Sequence, residues 1–282
     1  MLTNEISDAE IYLMNNIPII FNRNKVKKFR NRAAQNIEEH NFLIDEVSSR
    51  ILQSLDAISD GYESVLHIGC ASTRIVNHFE RKKDTKLIVS QDISDKIIRK
   101  TNGIKVVADE EKIPYAEKSF DLVIANLVLH CVNDLPGALM QLRKTLKKDG
   151  VFFATIFGVD TLKELRQVFL ELENEIKGGG APRVYPFSDV KTIGSLMQRA
   201  GFSEPVADCD NIKVEHDNVY ELMRDLKGMG ESNSLIKGGK TLNRDVLRLL
   251  DAKYKEKCPD NDGGIISTFN VINITGLAAF GV

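Results

Sequence analysis

Val65-Leu-His-Ile-Gly-Cys-Ala-Ser-Thr-Arg-Ile75 is the stretch that decides how this chain is read. Apolar residues enter it, Gly69 turns the backbone, and a helix is expected to follow. After the first strand of an α/β sheet, such a turn ordinarily cradles a nucleotide-like ligand, because amides at a helix start point toward it. The turn is poor in glycine: His67, Ala71 and Thr73 occupy positions that would define it. Whether it still holds a ligand is the question the rest of the sequence must answer.

Outward from this turn, short apolar runs recur. Residues 64–68, 86–90, 105–108, 120–125 and 151–157 read as five strands, and helical stretches separate them. Continuous apolar strands of this kind suit a parallel sheet buried on both faces. Leu43, Val47, Ile51 and Leu55 make one helical stripe ahead of the first strand. Leu135, Leu139, Leu142 and Leu146 make another, with Asn133 or Asp134 as cap and Pro136 in the first turn. Asp149-Gly150 ends that unit. Leu162, Leu165, Phe169, Leu172 and Ile176 mark a further helix, which Gly178-Gly179-Gly180 breaks, as a plain loop or a hinge. Residues 188–200 read as a helix stopped by Gly201. Residues 206–214 and 265–274 read as late strands, an antiparallel pair at the sheet edge, with a helical insertion at 218–257 between them. The expected architecture is α/β, a Rossmann-like, mostly parallel seven-stranded sheet with an antiparallel edge strand. The expected organisation is residues 1–60 as a basic segment and packing helix, then 61–282 as the main domain.

Composition narrows the partners. The 282 residues carry a net charge of −2, so no global field draws the chain to nucleic acid or membrane. The longest apolar runs, such as residues 122–129, are too short to span a bilayer. The first ten residues carry acids and lack the pattern of a transit or signal peptide. Cys70, Cys131, Cys209 and Cys258 are scattered, which argues against a zinc site or a disulfide framework and for a reducing cytosol, a bacterial cytoplasm being the expected setting of the chain as a whole. Residues 21–32 hold six cations and no acid. They read either as a solvated basic helix or as a partner surface, with Arg30 and Arg32 as the side chains a partner would meet.

In open parallel sheets the ligand lies beyond the carboxyl ends of the strands, where strand order reverses. The Gly69 turn, Asp92-Ile93, Asp109-Glu110 and Asn126-Leu127 would converge there. Asp92, about twenty residues past the first turn, is placed to accept from a ribose diol. Asp109 is placed to accept from an adenine amino group, with the Glu110 amide nearby. One acid at a strand end is weak evidence, since such acids also cap turns; four polar strand ends in order are stronger.

These residues resemble a class I S-adenosylmethionine-dependent methyltransferase. The resemblance rests on the Gly69 turn, Asp92, Ala108-Asp109-Glu110-Glu111, Pro114, Ser119-Phe120-Asp121-Leu122-Val123 and Asn126-Leu127-x-Leu129-His130. Two related branches are more closely similar. One methylates malonyl-acyl carrier protein in biotin synthesis. The other, the better fit, is the mitochondrial and alphaproteobacterial complex I assembly factor linked to hydroxylation of an arginine. Its marks are Phe21-Asn22-Arg23 with Arg30-x-Arg32-Ala33-Ala34, Leu129-His130-x-Val132-Asn133-Asp134-Leu135-Pro136, Phe157-Gly158-x-Asp160-Thr161-Leu162-x-Glu164-Leu165-Arg166, and Glu221-Leu222-Met223-x-Asp225-Leu226-x-Gly228-Met229-Gly230-Glu231-Ser232-Asn233.

The resemblance implies S-adenosylmethionine bound by His67, Gly69, Cys70, Ala71, Asp92, Ile93, Asp109, Glu110, Asn126 and Leu127, with no metal. Asn126-Leu127 would abut the transferred group. His130 is either a catalytic base or a hydrogen-bonded structural residue. The acceptor would be an unidentified protein or small molecule entering near His130, Asn133 and the insertion, a respiratory complex I subunit being one candidate. The chain departs from the pattern at three points: His67 replaces an acid, and Ala71 and Thr73 replace glycines. The cofactor's net charge is positive, so a neutral imidazole attracts it less, by a margin on the order of 100-fold in binding. Ala71 is expected to crowd the ligand and Thr73 to resist a positive φ. Cys131 stands where the family has tryptophan, either widening the pocket or simply buried. The alternatives to a methyltransferase are an assembly factor, hydroxylating or merely binding, and a nicotinamide dehydrogenase, which the absent G-x-G-x-x-G disfavours.

Overall fold

A seven-stranded sheet in the order β3-β2-β1-β4-β5-β7-β6 organises the molecule, here in a computed structural model that describes residues 18–58, 61–177, 179–239 and 242–278. The reading of the first ten residues lies outside this range. The strands are β1 (Ser64–Ile68), β2 (Leu87–Asp92), β3 (Ile104–Val107), β4 (Phe120–Asn126), β5 (Leu146–Phe157), β6 (Ser203–His216) and β7 (Ile265–Leu277). The first five run parallel. β7 inserts antiparallel between β5 and the edge strand β6. All five residues of β1 are buried, as a strand covered on both faces requires.

Helices cover both faces. On one lie α3 (Phe42–Ile58), α4 (Arg74–Arg81), α7 (Lys163–Lys177), α9 (Val219–Met229) and α10 (Arg244–Lys257). Leu43, Val47, Ile51 and Leu55 of α3 pack there with Val65, Leu122 and Ile124. On the other lie α6 (Leu135–Thr145) and α8 (Val190–Arg199), with Leu139, Leu142, Ile193 and Met197 against Leu66, Ile68, Val123 and Phe152. Asp134, rather than Asn133, caps α6 by accepting from the Gly137 amide at 2.8 Å. Gly201 takes φ +85° after α8, the left-handed stop its sequence implied. α5 (Asp95–Ile98) follows β2, and α1 (Arg23–Ala33) and α2 (Ile37–His40) precede α3.

The insertion is anchored to these first helices. Asp225 on α9 bonds His40 Nδ1 at 2.7 Å and His216 Nε2 at 3.1 Å. Gly228 is required there, since a Cβ would lie 2.2 Å from the His40 ring. The motif at 228–233 then runs back along α1, where Arg32 donates to Ser232 Oγ at 2.7 Å and Gly230 meets the Arg30 backbone. Among the described residues no helix is long and apolar enough to cross a membrane.

Candidate functional site

β1 has β2 on one side and β4 on the other, so strand order reverses there and a crevice opens beyond their carboxyl ends. Gly69 turns the chain at this point with φ +87°. A Cβ at Gly69 would lie 2.5 Å from the Asn126 carbonyl oxygen and 2.6 Å from Val128 Cγ1, so only glycine fits. Thr73 departs from the expectation of a strained positive φ. Thr73 takes φ −87° as N-cap of α4, and Ala71 is absent from the positive-φ residues, so neither side chain strains the turn. Thr73 makes no side-chain cap bond; Ser72 Oγ accepts from the Arg74 amide at 3.2 Å.

Asp92 closes the turn from the neighbouring strand. Its Oδ2 accepts from the Cys70 amide at 3.0 Å and from Arg30 Nη2 at 2.5 Å. Its Oδ1 accepts from the Ser94 amide at 2.8 Å and Arg30 Nε at 3.1 Å. The carboxylate is fully buried, and Arg30 is 4% exposed. Asp109 is met in the same way: its Oδ1 accepts from Arg23 Nη2 at 2.8 Å, and Arg23 Nη2 also bonds Glu110 Oε2. Burial pushes the Glu110 carboxyl up to about 7, against the pull of Arg23. The basic segment is therefore not simply solvated: two of its cations turn inward, and Arg30 is unavailable to a partner. One could see this only from their spacing, two turns apart on one helical face, together with the acids they meet more than sixty residues away.

His67 lies beneath the turn, fully buried, with Nδ1 3.6 Å from Cys70 Sγ and Nε2 without a hydrogen-bond partner among the described residues. Burial lowers the imidazole to about 4, although the charge of Asp92 opposes this. The unfolded chain holds its imidazole near the ordinary 6.5. Between these values the unfolded state binds the extra proton. The stability is present above about 6.5 and lost as pH falls toward 4, a span worth about 3 kcal/mol. We expect the unfolding free-energy difference between the wild type and His67→Gln to change by about that much between pH 6.5 and 4 in denaturant titrations. A difference independent of pH would show that the buried ring is charged.

The remaining crevice residues divide. Ile93 packs with Phe21, Val26, Cys131, Tyr185 and Leu235. Asn126 turns inward, donating to Ser48 Oγ at 2.8 Å and accepting from Thr155 Oγ1 at 3.0 Å, so its side chain is structural rather than ligand-facing. Leu127 takes φ +48°, uncommon for a branched residue, held by its amide on the Thr155 carbonyl at 3.0 Å. Cys70 offers its amide; its Sγ points to the Gln91 carbonyl at 3.3 Å. Cys131 is a buried structural thiol, pushed up to about 12 by burial, with its carbonyl accepting from Arg23 Nη1 at 2.9 Å.

Beyond the crevice lies a cavity of about 430 Å³, walled by Phe157, Leu165, Phe187, Met223 and Phe269 and rimmed by Glu231, Ser232 and Asn233. His130 packs behind three of these lining residues. Its ring is 4.8 Å from Phe157 and 5.9 Å from Phe187, and its Nε2 is 3.0 Å from Glu231 Oε2. Glu231 was not singled out in the sequence as a site residue; its only signal was membership of the Gly228–Asn233 run. Asn133 instead ties the chain before α1, its Oδ1 accepting from the Ile20 and Phe21 amides at 2.8 Å. Among the described residues no group of three or more His, Cys, Asp or Glu is placed to hold a metal ion.

Comparison with known proteins places these features. A family described as a methyltransferase domain matches residues 66–154. The chain is 38% identical over 264 residues to the mouse mitochondrial arginine-hydroxylase NDUFAF5, covering 91% of this chain and 77% of that one. It is 29% identical over 255 residues to malonyl-acyl-carrier-protein O-methyltransferase 1 of Coxiella burnetii, covering 89% and 86%. The structure resembles a crystal structure from Bacillus halodurans described as a methyltransferase, with a TM-score of 0.57 at 13% identity over 83% of this chain and 99% of that one.

Proposed function

The chain belongs to the family of the mitochondrial arginine-hydroxylase NDUFAF5, built on the fold of the S-adenosylmethionine-dependent methyltransferases, and on that premise we propose that it binds S-adenosylmethionine at the Gly69 turn and transfers its methyl group to a side chain of a protein partner. The observation that carries this reading is Asp92, a buried carboxylate joined to the Cys70 amide so that the end of β2 and the turn after β1 form one cradle. The donor set fits the cofactor at three points. Asp92 can accept two ribose hydroxyls once Arg30 gives way, Asp109 can accept from the adenine amino group once Arg23 does, and the glycine turn leaves backbone room for the methionine part. His67 adds no attraction for the positive charge, because its ring is neutral.

When bound, S-adenosylmethionine supplies an electrophilic methyl on a sulfonium. The residues of the chain would orient the reactants and move one proton: Leu127 holds the floor where β4 ends, and His130 with Glu231 would orient the acceptor and take up the proton it releases. Such alignment is the main requirement of methyl transfer. A second reading is that the target is an arginine, hydroxylated where an external oxidant such as dioxygen with a reductant supplies the oxygen: Glu231, lining the cavity with Phe157, Tyr185 and Phe187, suits a guanidinium. A respiratory complex I subunit is the partner this reading suggests.

Calorimetric titration with S-adenosylmethionine and its demethylated product tests the cofactor. Ligand at about 100 times its dissociation constant should stabilise the protein by about 2.7 kcal/mol in melting experiments. No heat and no melting shift at millimolar ligand would overturn the reading. Mass spectrometry of an arginine-containing partner then separates the chemistries by whether it gains a methyl group or an oxygen.

A further inference from the structure

We propose that α1 is an intramolecular cap on the cofactor crevice, with Arg30 and Arg23 holding the carboxylates that the ribose and adenine would use and releasing them when cofactor binds. The inference rests on the cofactor reading above and adds the control of that site.

The geometry makes the two ligands competitors. Arg23 and Arg30 lie seven residues apart, on one face of α1, and reach the ends of two neighbouring strands. Arg30 presents two N–H groups to both oxygens of Asp92, the pattern a ribose diol would present. With the Cys70 and Ser94 amides also bonded, each oxygen of Asp92 already accepts twice. A diol can therefore be received only where the guanidinium leaves. At the other end, Arg23 covers Asp109 and Glu110 together.

The docking of α1 is of a kind that yields. Its buried residues are Val26, Arg30 and Ala33, so little apolar area holds it down. Its other attachments are polar: Arg32 to Ser232, Asn31 to Asp95 and the Asn22 amide to the Ser234 carbonyl at 2.9 Å. Arg30 also has somewhere to turn. A Cβ at Gly230 would lie 3.3 Å from Arg30 Cγ, so glycine leaves that side chain room, and the neighbouring Glu231 lies within electrostatic reach of its guanidinium. Cap, crevice and cavity thus meet at one arginine.

The test compares binding of S-adenosylhomocysteine to the full-length wild type, Arg23→Gln and Arg30→Gln by calorimetry, with circular dichroism to verify folding. The cap predicts that each folded variant binds about tenfold more tightly or better, the equivalent of one charge-assisted hydrogen bond released. Arg30→Gln leaves a buried carboxylate and is the variant at risk of not folding. Arg23→Gln then decides, because Asp109 is partly exposed and Glu110 can take up a proton. Equal or weaker binding in Arg23→Gln, with the wild type binding, overturns the cap and leaves the cofactor reading intact. No binding to any of the three at millimolar ligand overturns the cofactor reading itself, and the cap with it.

Discussion

Asp92→Ala should cost about 3–5 kcal/mol of folding stability, because it strands the Arg30 guanidinium in the interior. The carboxylate is fully buried and receives four hydrogen bonds, two from Arg30 and one each from the Cys70 and Ser94 amides. Removing it leaves a cation, 4% exposed, with no directly bonded counter-charge and only the more distant carboxylates of Glu110 and Glu231. Urea denaturation followed by circular dichroism measures the loss; a value below about 1 kcal/mol would show that Arg30 reaches solvent once released. Pairing the change with Arg30→Met supplies the control. A buried ion pair replaced on both sides by apolar groups is often near neutral, so the double variant should regain the part of the loss that comes from the stranded cation. What it should not regain is the contribution of the two orphaned amides, on the order of 1–3 kcal/mol each where they stay dry. The same substitution removes the ribose acceptor, so cofactor binding should vanish in the single and the double variant alike.

The parts of this site that the sequence made legible are those in which chemistry and chain order coincide. Continuous apolar runs marked the parallel strands, and an acid immediately after each of two runs marked Asp92 and Asp109 as strand-end groups. The antiparallel pair β6–β7 was legible as two late strands flanking an insertion; that β7 enters between β5 and β6 was not, because sequence order carries no lateral order. The direction of the basic segment was also hidden. Six cations without an acid read as a solvated face, yet burial follows the partner rather than the composition: Arg23 and Arg30 meet acids, while Lys25 and Lys28 stay exposed. The run at 228–233 could be singled out but not interpreted. Its glycines serve close approaches to His40 and Arg30, residues from a helix layer roughly two hundred positions earlier.

Those approaches link two features that the sequence presents separately. α9 is held by Asp225 between His40 and His216, and its C-terminal glycine, Gly230 with φ +90°, sends the chain along α1. Arg30 then spans from this corner to Asp92. A displacement of α1 is consequently felt at Glu231 and His130, where the cavity begins. Cofactor occupancy and acceptor geometry share one mechanical element, which is how a weakened loop could still gate a reaction.

Gly69→Ala should be about as damaging as the loss of Asp92, and far more damaging than any change at the two positions that have lost their glycines. At φ +87° an L side chain is strained, by roughly 1–2 kcal/mol for alanine. The new methyl would also lie 2.5 Å from the Asn126 carbonyl oxygen and 2.6 Å from Val128 Cγ1, neither of which can retreat. The carbonyl belongs to a central strand, and Val128 is buried against it. Forcing β1 and β4 apart adds about 1–3 kcal/mol of overpacking, for a total of about 2–5 kcal/mol. Ala71→Gly and Thr73→Gly enter no such conflict. Their backbones are ordinary, so each should change stability by no more than about 1 kcal/mol, through the greater freedom of glycine in the unfolded chain. Thermal melts of the three variants provide the comparison. If Gly69→Ala melted like the wild type, the approach of β1 to β4 would have to be looser than drawn. If the two reversions restored tight cofactor binding on their own, the lost glycines rather than His67 and the α1 arginines would set the affinity.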